Sequence, residues 1–167
     1  MENSLGNWAV IDIETSGIDP HTDSIIDIGY LQFNNTTLIP MRGSKKEMMK
    51  SLLDGKILIL ASDQNAGDRG TKVLFFGKET SVPKGAAYFY HKTNCPIVVG
   101  FCILKRDYSY EFKLRPFDIL NENDIKSLCI NVNTKYSLLL EEEIKKYPEQ
   151  YFWFHKKWDK KIYKYDL

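Results

Sequence analysis

The sequence predicts an α/β domain with a mixed sheet, its strands flanked by helices. Three observations carry this. Short apolar runs of strand character alternate with segments of helical apolar spacing. Gly, Pro and Asn punctuate the joins between them. Hydrophobic residues make up 43% of 167 residues, enough for the core of one domain.

The elements follow in order. Trp8 to Ile13 reads as a buried strand, Gly17 to Pro20 as a turn, and Ser24 to Phe33 as a second strand. Asn34-Asn35 breaks the pattern, and Thr36 to Met41 reads as a short strand. Lys45 to Leu53 places Met48, Met49, Leu52 and Leu53 at helical spacing and stops at Gly55. Ile57 to Ala61 reads as an interior strand, and Ser62 to Gly70 as a polar loop. Lys72 to Phe76 is a strand, and Pro83 precedes a small-residue helix over Lys84 to Lys92. Cys95 to Leu104 and Tyr108 to Leu114 read as hairpin partners. Val132 to Lys146 is an amphipathic helix stopped by Pro148, and an aromatic tail follows.

Composition narrows the class. Formal net charge is +1, so bulk charge does not argue for nucleic acid. The three cysteines, Cys95, Cys102 and Cys129, show no C-x-x-C spacing, which suits free, buried thiols in a reducing compartment. The first residues lack the basic-then-apolar order of a signal peptide. No apolar run approaches the ~20 residues of a membrane span. The expected place is the cytoplasm, with any membrane contact peripheral.

The stretch Ile11-Asp-Ile-Glu-Thr-Ser-Gly17 carries the first chemical signal. Residues two apart on a strand share a face, so Asp12 and Glu14 project together. Two convergent carboxylates suit hard divalent cations, and two such ions can clamp a phosphodiester. Over residues 7–33 this stretch, with Asp23-Ser-Ile-Ile-Asp-Ile-Gly29, resembles the first motif of the DnaQ-like 3′–5′ exonucleases. That resemblance implies Mg or Mn at Asp12 and Glu14 and a nucleic acid substrate. The family's closing motif has a histidine and an acid at fixed spacing. Here three residues separate His155 from Asp159, one fewer than in the histidine subclass.

A longer ordered series follows. It comprises Met41-Arg42-Gly43, Ser62-Asp-Gln-Asn-Ala-Gly67, Lys72-Val-Leu-Phe-Phe-Gly77, Pro83 to Ala87, Asn94-Cys-Pro-Ile-Val-Val99 and Pro148-Glu-Gln-Tyr-Phe-Trp-Phe-His-Lys-Lys-Trp158. Across residues 36–167 it resembles the C-terminal half of the lipid A biosynthesis (lauroyl/myristoyl) acyltransferases. The chain therefore divides into a segment 1–35 with the exonuclease-like motif and a region 36–167 of acyltransferase type. The resemblance implies no cofactor, an acyl-carrier protein thioester as donor and a phosphorylated glycolipid as acceptor. It also implies a station at the cytoplasmic face of the inner membrane.

The candidate substrate-binding residues are Arg42, Asp63, Gln64 and Arg69. Arginine forks suit phosphate, and Asp63 and Gln64 suit sugar hydroxyls. The same two side chains equally suit capping of their own loop backbone. The tail from His155 to Lys164 mixes lysines with aromatic rings, a pattern compatible with an anionic membrane surface, with single-stranded nucleic acid or with an ordinary solvated end.

The acyltransferase family works through a histidine with an acid five residues on, the histidine acting as general base on the acceptor hydroxyl. None of His21, His91 or His155 has that acid: positions 26, 96 and 160 hold Ile, Pro and Lys. The expectation is a chain with acyltransferase binding elements but without the catalytic pair, truncated or fused near residues 34–37.

Overall fold

The computed structural model describes residues 9–15, 25–32, 39, 44–120, 122, 124–158 and 160–163, with 9–15, 25–32 and 160 described by backbone alone. The expected strand over 36–41 falls mostly outside the described residues. The chain forms two compact units, Met1–Met48 and Met49–Leu167.

The first unit holds an antiparallel pair, β1 (Ala9–Thr15) and β2 (Ile25–Gln32), with Asp12 opposite Gly29 and Glu14 opposite Asp27. Helix α1 (Lys45–Leu53) crosses the division between the units. Its end is the predicted glycine stop. Gly55 adopts φ 76°, its N–H donates to the Leu52 carbonyl, and the Lys56 N–H reaches back to Ser51. Together these satisfy the last carbonyls of the helix.

The second unit has two hairpins and two helices. Strands β3 (Thr71–Phe75) and β4 (Lys78–Val82) pair through a two-residue turn, Phe76-Gly77. Both turn residues have positive φ, 49° and 71°. That geometry matches the right-handed twist of the strands it joins, and Gly77 adopts it without steric cost. Helix α2 (Gly85–Thr93) ends at Asn94, whose left-handed φ of 55° closes the last turn. Strands β5 (Ile97–Leu104) and β6 (Tyr110–Phe117) form the second hairpin, and α3 (Ile125–Lys146) closes the set.

The α/β class is as expected, but the pairing is more local than one mixed sheet. Among the described residues the strands form three separate two-stranded antiparallel sheets. Short turns bring sequence neighbours together first, whereas a parallel partner needs a crossover of about a dozen residues or more. Two further corrections follow. Ile57 to Ala61 is not a strand: it finds no ladder partner, and Ile57 and Ile59 are exposed. Of the thiols, Cys129 is buried as expected, but Cys95 is half-buried in the loop before β5, and Cys102 is exposed because β5 turns alternate residues outward.

Helix α3 organises the core. Asp124 caps it by accepting the Ser127 N–H at 3.0 Å. Its buried stripe runs Leu128, Cys129, Val132, Leu140 and Ile144. The first half packs with Ala87, Val99 and Phe117, the second with Phe75. Asn133 donates to the carbonyls of Val82 and Pro83, joining α3 to the turn before α2.

Where β6 lies over the end of α3 the contact is ionic. Glu143, 3% exposed, accepts from Lys113 at 2.7 Å, Arg115 at 3.0 Å and Lys146 at 3.1 Å. The Lys113 hydrogen bond first, then Lys146, holds the Glu143 carboxyl below its ordinary range. A buried carboxylate of this kind is tolerated because its lone pairs are filled by cations.

Candidate functional site

The site is assembled on β4. This strand went unread in the sequence because Lys78-Glu-Thr-Ser-Val82 has little apolar content, yet Thr80, Ser81 and Val82 are all buried. Their polar groups are taken up by two segments far apart in the chain. Residues 63–70 bind on one side: the Ala66 N–H donates to the Ser81 carbonyl at 2.9 Å, and the Ser81 hydroxyl donates to the Gly67 carbonyl. Residues 155–158 bind on the other: the Thr80 hydroxyl donates to the Lys157 carbonyl, and Trp158 forms an antiparallel bridge with Thr80.

Asn65 joins the two segments. Its N–H donates to Nε2 of His155 at 2.9 Å, 90 residues away. Its Nδ2 donates to the carbonyls of Lys157 at 2.7 Å and Trp158 at 3.3 Å. Its Oδ1 accepts the Gly67 N–H at 2.7 Å and shapes the loop ahead of the 3₁₀ turn Gly67–Arg69.

Beneath the loop, Lys157 is 1% exposed. Its Nζ donates to the Asp63 carbonyl and lies 5.3 Å from the Phe75 ring centroid. Burial pushes this amine down to about 8, and the Asp63 charge opposes the shift. Trp158 is held beside it, its indole N–H donating to the Phe75 carbonyl at 2.9 Å. Burial, then the Asp63 charge, raises both the Tyr136 and Tyr151 hydroxyls, so they remain protonated at neutral pH.

The sequence candidates distribute as follows. Asp63 is half-buried, Gln64 is exposed, and Arg69 is exposed at the end of the 3₁₀ turn. The backbone cap of the loop comes from Asn65, and the Asp63 and Gln64 side chains make no hydrogen bond among the described residues. Arg42 and His21 lie outside the described residues. Asp12 and Glu14 occupy positions two apart on β1. Among the described residues no group of three or more His, Cys, Asp or Glu gathers in the manner of a metal site. Asn65, Thr80 and Lys157 were missed, because their role depends on contacts across 77 to 92 residues that no local spacing displays.

His91 is exposed in the last turn of α2. His155 differs: its Nε2 lone pair already accepts the Asn65 N–H. Burial first, then the Lys157 charge, lowers its pKa against the opposing Asp63 charge, which favours the neutral ring. A histidine so engaged is a clasp for the loop and has no free lone pair at Nε2 for a base's work. Its folded pKa lies below the unfolded 6.5, so its stabilisation is complete above 6.5 and is lost as pH falls through the folded value. Urea midpoints of the wild type should therefore fall more steeply below pH 6.5 than those of His155→Gln, whose amide oxygen accepts the same bond without titrating. Parallel pH profiles would remove His155 from the clasp.

An open groove of about 770 Å³ lies elsewhere, lined by residues that include Leu120, Ile130, Lys135 and Leu138, and none of the candidate residues borders it. No helix among the described residues is long and apolar enough to cross a membrane.

The fold and the site together define an α/β protein with a braced loop that carries acid, amide and guanidinium groups. A model of the bacterial lipid A biosynthesis acyltransferase family matches residues 28–160, and the chain belongs to that family. The match takes in both the loop and its clasp and begins inside β2, ahead of the boundary at residue 36 read from the motifs. The exonuclease resemblance of residues 7–33 finds no support in that comparison. No curated protein matches the chain.

Proposed function

We propose that this chain binds the phosphorylated glycolipid acceptor of a lipid A acyltransferase at the loop from Asp63 to Arg69, and does not itself transfer the acyl group. One observation carries the reading: two segments 90 residues apart, both inside the family match, are locked together so that Asp63, Gln64 and Arg69 stand on a fixed loop. Arg69 supplies a forked donor for phosphate, and Gln64 and Asp63 supply partners for sugar hydroxyls. Transfer from an acyl-carrier protein thioester needs a general base on the acceptor hydroxyl. None of the three histidines has the family's acid five residues on, and His155 is engaged with Asn65.

The test is titration with a lipid A precursor in detergent micelles, followed by intrinsic tryptophan fluorescence. Gln64→Ala and Arg69→Ala should each weaken binding about tenfold, equivalent to about 1.4 kcal/mol. Acyl transfer from charged acyl-carrier protein should stay at background. Equal affinity of the wild type and the Gln64→Ala/Arg69→Ala double variant would sink the binding assignment. Turnover that survives replacement of His21, His91 and His155 by alanine would sink the histidine account of the missing chemistry.

A further inference from the structure

We propose that Asn65 is the positioning residue of the ligand loop, acting through its bonds to the 155–158 segment rather than through contact with ligand. The inference rests on the acceptor-binding reading of Asp63, Gln64 and Arg69 and names what orients them.

The bonding inventory separates Asn65 from its neighbours. An asparagine offers a backbone N–H, a side-chain amide and a side-chain carbonyl, and here each is engaged. Three of the four bonds leave the loop for the tail, and one stays within it. Of the two residues before Asn65, Gln64 is exposed, and Asp63 is half-buried with its charge acting on the Tyr136 and Tyr151 hydroxyls. The arrangement divides labour within three consecutive residues: Asn65 is spent on the protein, and the two before it are available to a ligand. Its partners are themselves immobilised. The Lys157 carbonyl also accepts the Thr80 hydroxyl, the Lys157 amine is tied to the Asp63 carbonyl, and Trp158 is bridged to β4. The loop is therefore gripped at Asp63 and Asn65 by one short segment, with Gln64 between the two grips. A group held at both neighbours presents its side chain in a narrow range of directions, which lowers the ordering cost of binding.

Three variants test this. Asn65→Ala removes every side-chain bond. Asn65→Asp keeps an oxygen for the Gly67 N–H but replaces the donor facing the Lys157 and Trp158 carbonyls, so it isolates the tail clasp from the local turn. Gln64→Ala removes the ligand-facing side chain alone. Amide hydrogen exchange, histidine NMR titration and lipid A precursor binding are measured on each. The expected result is that Asn65→Ala and Asn65→Asp both raise exchange at residues 64–70 by about tenfold or more, with β5, β6 and α3 unchanged. The His155 titration should rise toward its ordinary value in both, because the loop that shields it has lifted. Precursor affinity should fall about tenfold in both. Gln64→Ala should lose the same affinity with exchange and His155 titration unchanged.

Wild-type behaviour of Asn65→Asp would overturn the proposal, since the local turn would then suffice. So would a loosened loop with unchanged affinity. If the wild type fails to bind the precursor, the acceptor reading falls, and the exchange and His155 readouts still decide whether Asn65 sets the loop.

Discussion

Phe75→Ala should lower unfolding free energy by about 3–5 kcal/mol, the range for deleting a fully enclosed aromatic ring. Phe75 is 0% exposed and packs against Leu140 and Ile144 of α3. Its ring also lies 5.8 Å from Trp158, 6.1 Å from Tyr151 and 4.8 Å from Phe76. Truncation removes those contacts and opens a void that three aromatic neighbours and a helix cannot collapse together. It also takes away the π face beside the Lys157 amine, a buried cation with one hydrogen-bond acceptor among the described residues. The upper half of the range is therefore expected. Leu74→Ala is the control, since Leu74 points outward at 62% exposed and should change stability by about 0.5 kcal/mol or less. Urea denaturation decides between them. Equal shifts for the two variants would mean that β3 does not present the faces described.

The effect would reach the site as well as the core. Phe75 supports the site from below through Lys157 and Trp158, and those residues hold Asn65. A partly unfolded loop in Phe75→Ala should appear as raised exchange at residues 63–70 below the global transition. This is the physical content of the FFG motif: Phe75 carries the packing, Phe76 and Gly77 make the reversal, and the Phe76 N–H is anchored to Glu141 at 2.7 Å.

How much of this was legible beforehand depended on range. Signals completed within one element were readable. Helix α1 runs as its apolar spacing implied, with its glycine stop, and β5–β6 forms the expected hairpin. The start of α3 was not readable. Asp124 and Ser127 mark it, but Ile125, Ile130 and Val132 are β-branched and Asn131 and Asn133 favour turns, so local preference opposes a helix that packing imposes. The run Ile57 to Ala61 misled in the other direction, since a short continuous apolar run makes an interior strand only where a partner lies alongside. At the site, the loop from Ser62 to Gly70 and the candidates Asp63 and Gln64 came from the sequence. The strand that braces their loop did not, because β4 buries hydroxyls. A buried Thr or Ser looks like a surface residue until its acceptor is known, and here the acceptors sit on residues 67 and 157.

Gly70 makes the same point in a form that can be measured, and Gly70→Ala should be the most damaging single-methyl addition to the loop. Its φ of −81° is ordinary, so the requirement for glycine is one of space rather than backbone conformation. A Cβ there would lie 2.1 Å from the Ser81 hydroxyl oxygen, 2.8 Å from the Ala66 Cβ and 2.8 Å from the Val82 carbonyl oxygen. The hydroxyl can rotate away only by giving up its bond to Gly67, and the carbonyl belongs to the β4 backbone. The loop must lift from β4, breaking the Ala66–Ser81 bond as it does. Overpacking of this kind costs about 1–3 kcal/mol, and the lost hydrogen bonds add to it. Precursor binding should fall as well, because Arg69 lies in the segment that lifts. The double variant Gly70→Ala/Ser81→Gly separates the side-chain hydroxyl from the other two obstacles. It clears the hydroxyl but leaves the Ala66 Cβ and the Val82 carbonyl in place, so recovery of stability should be partial. Full recovery would mean that the loop is held off β4 by one side chain alone. No change in the single variant would mean that residues 66–70 do not rest on β4 in solution.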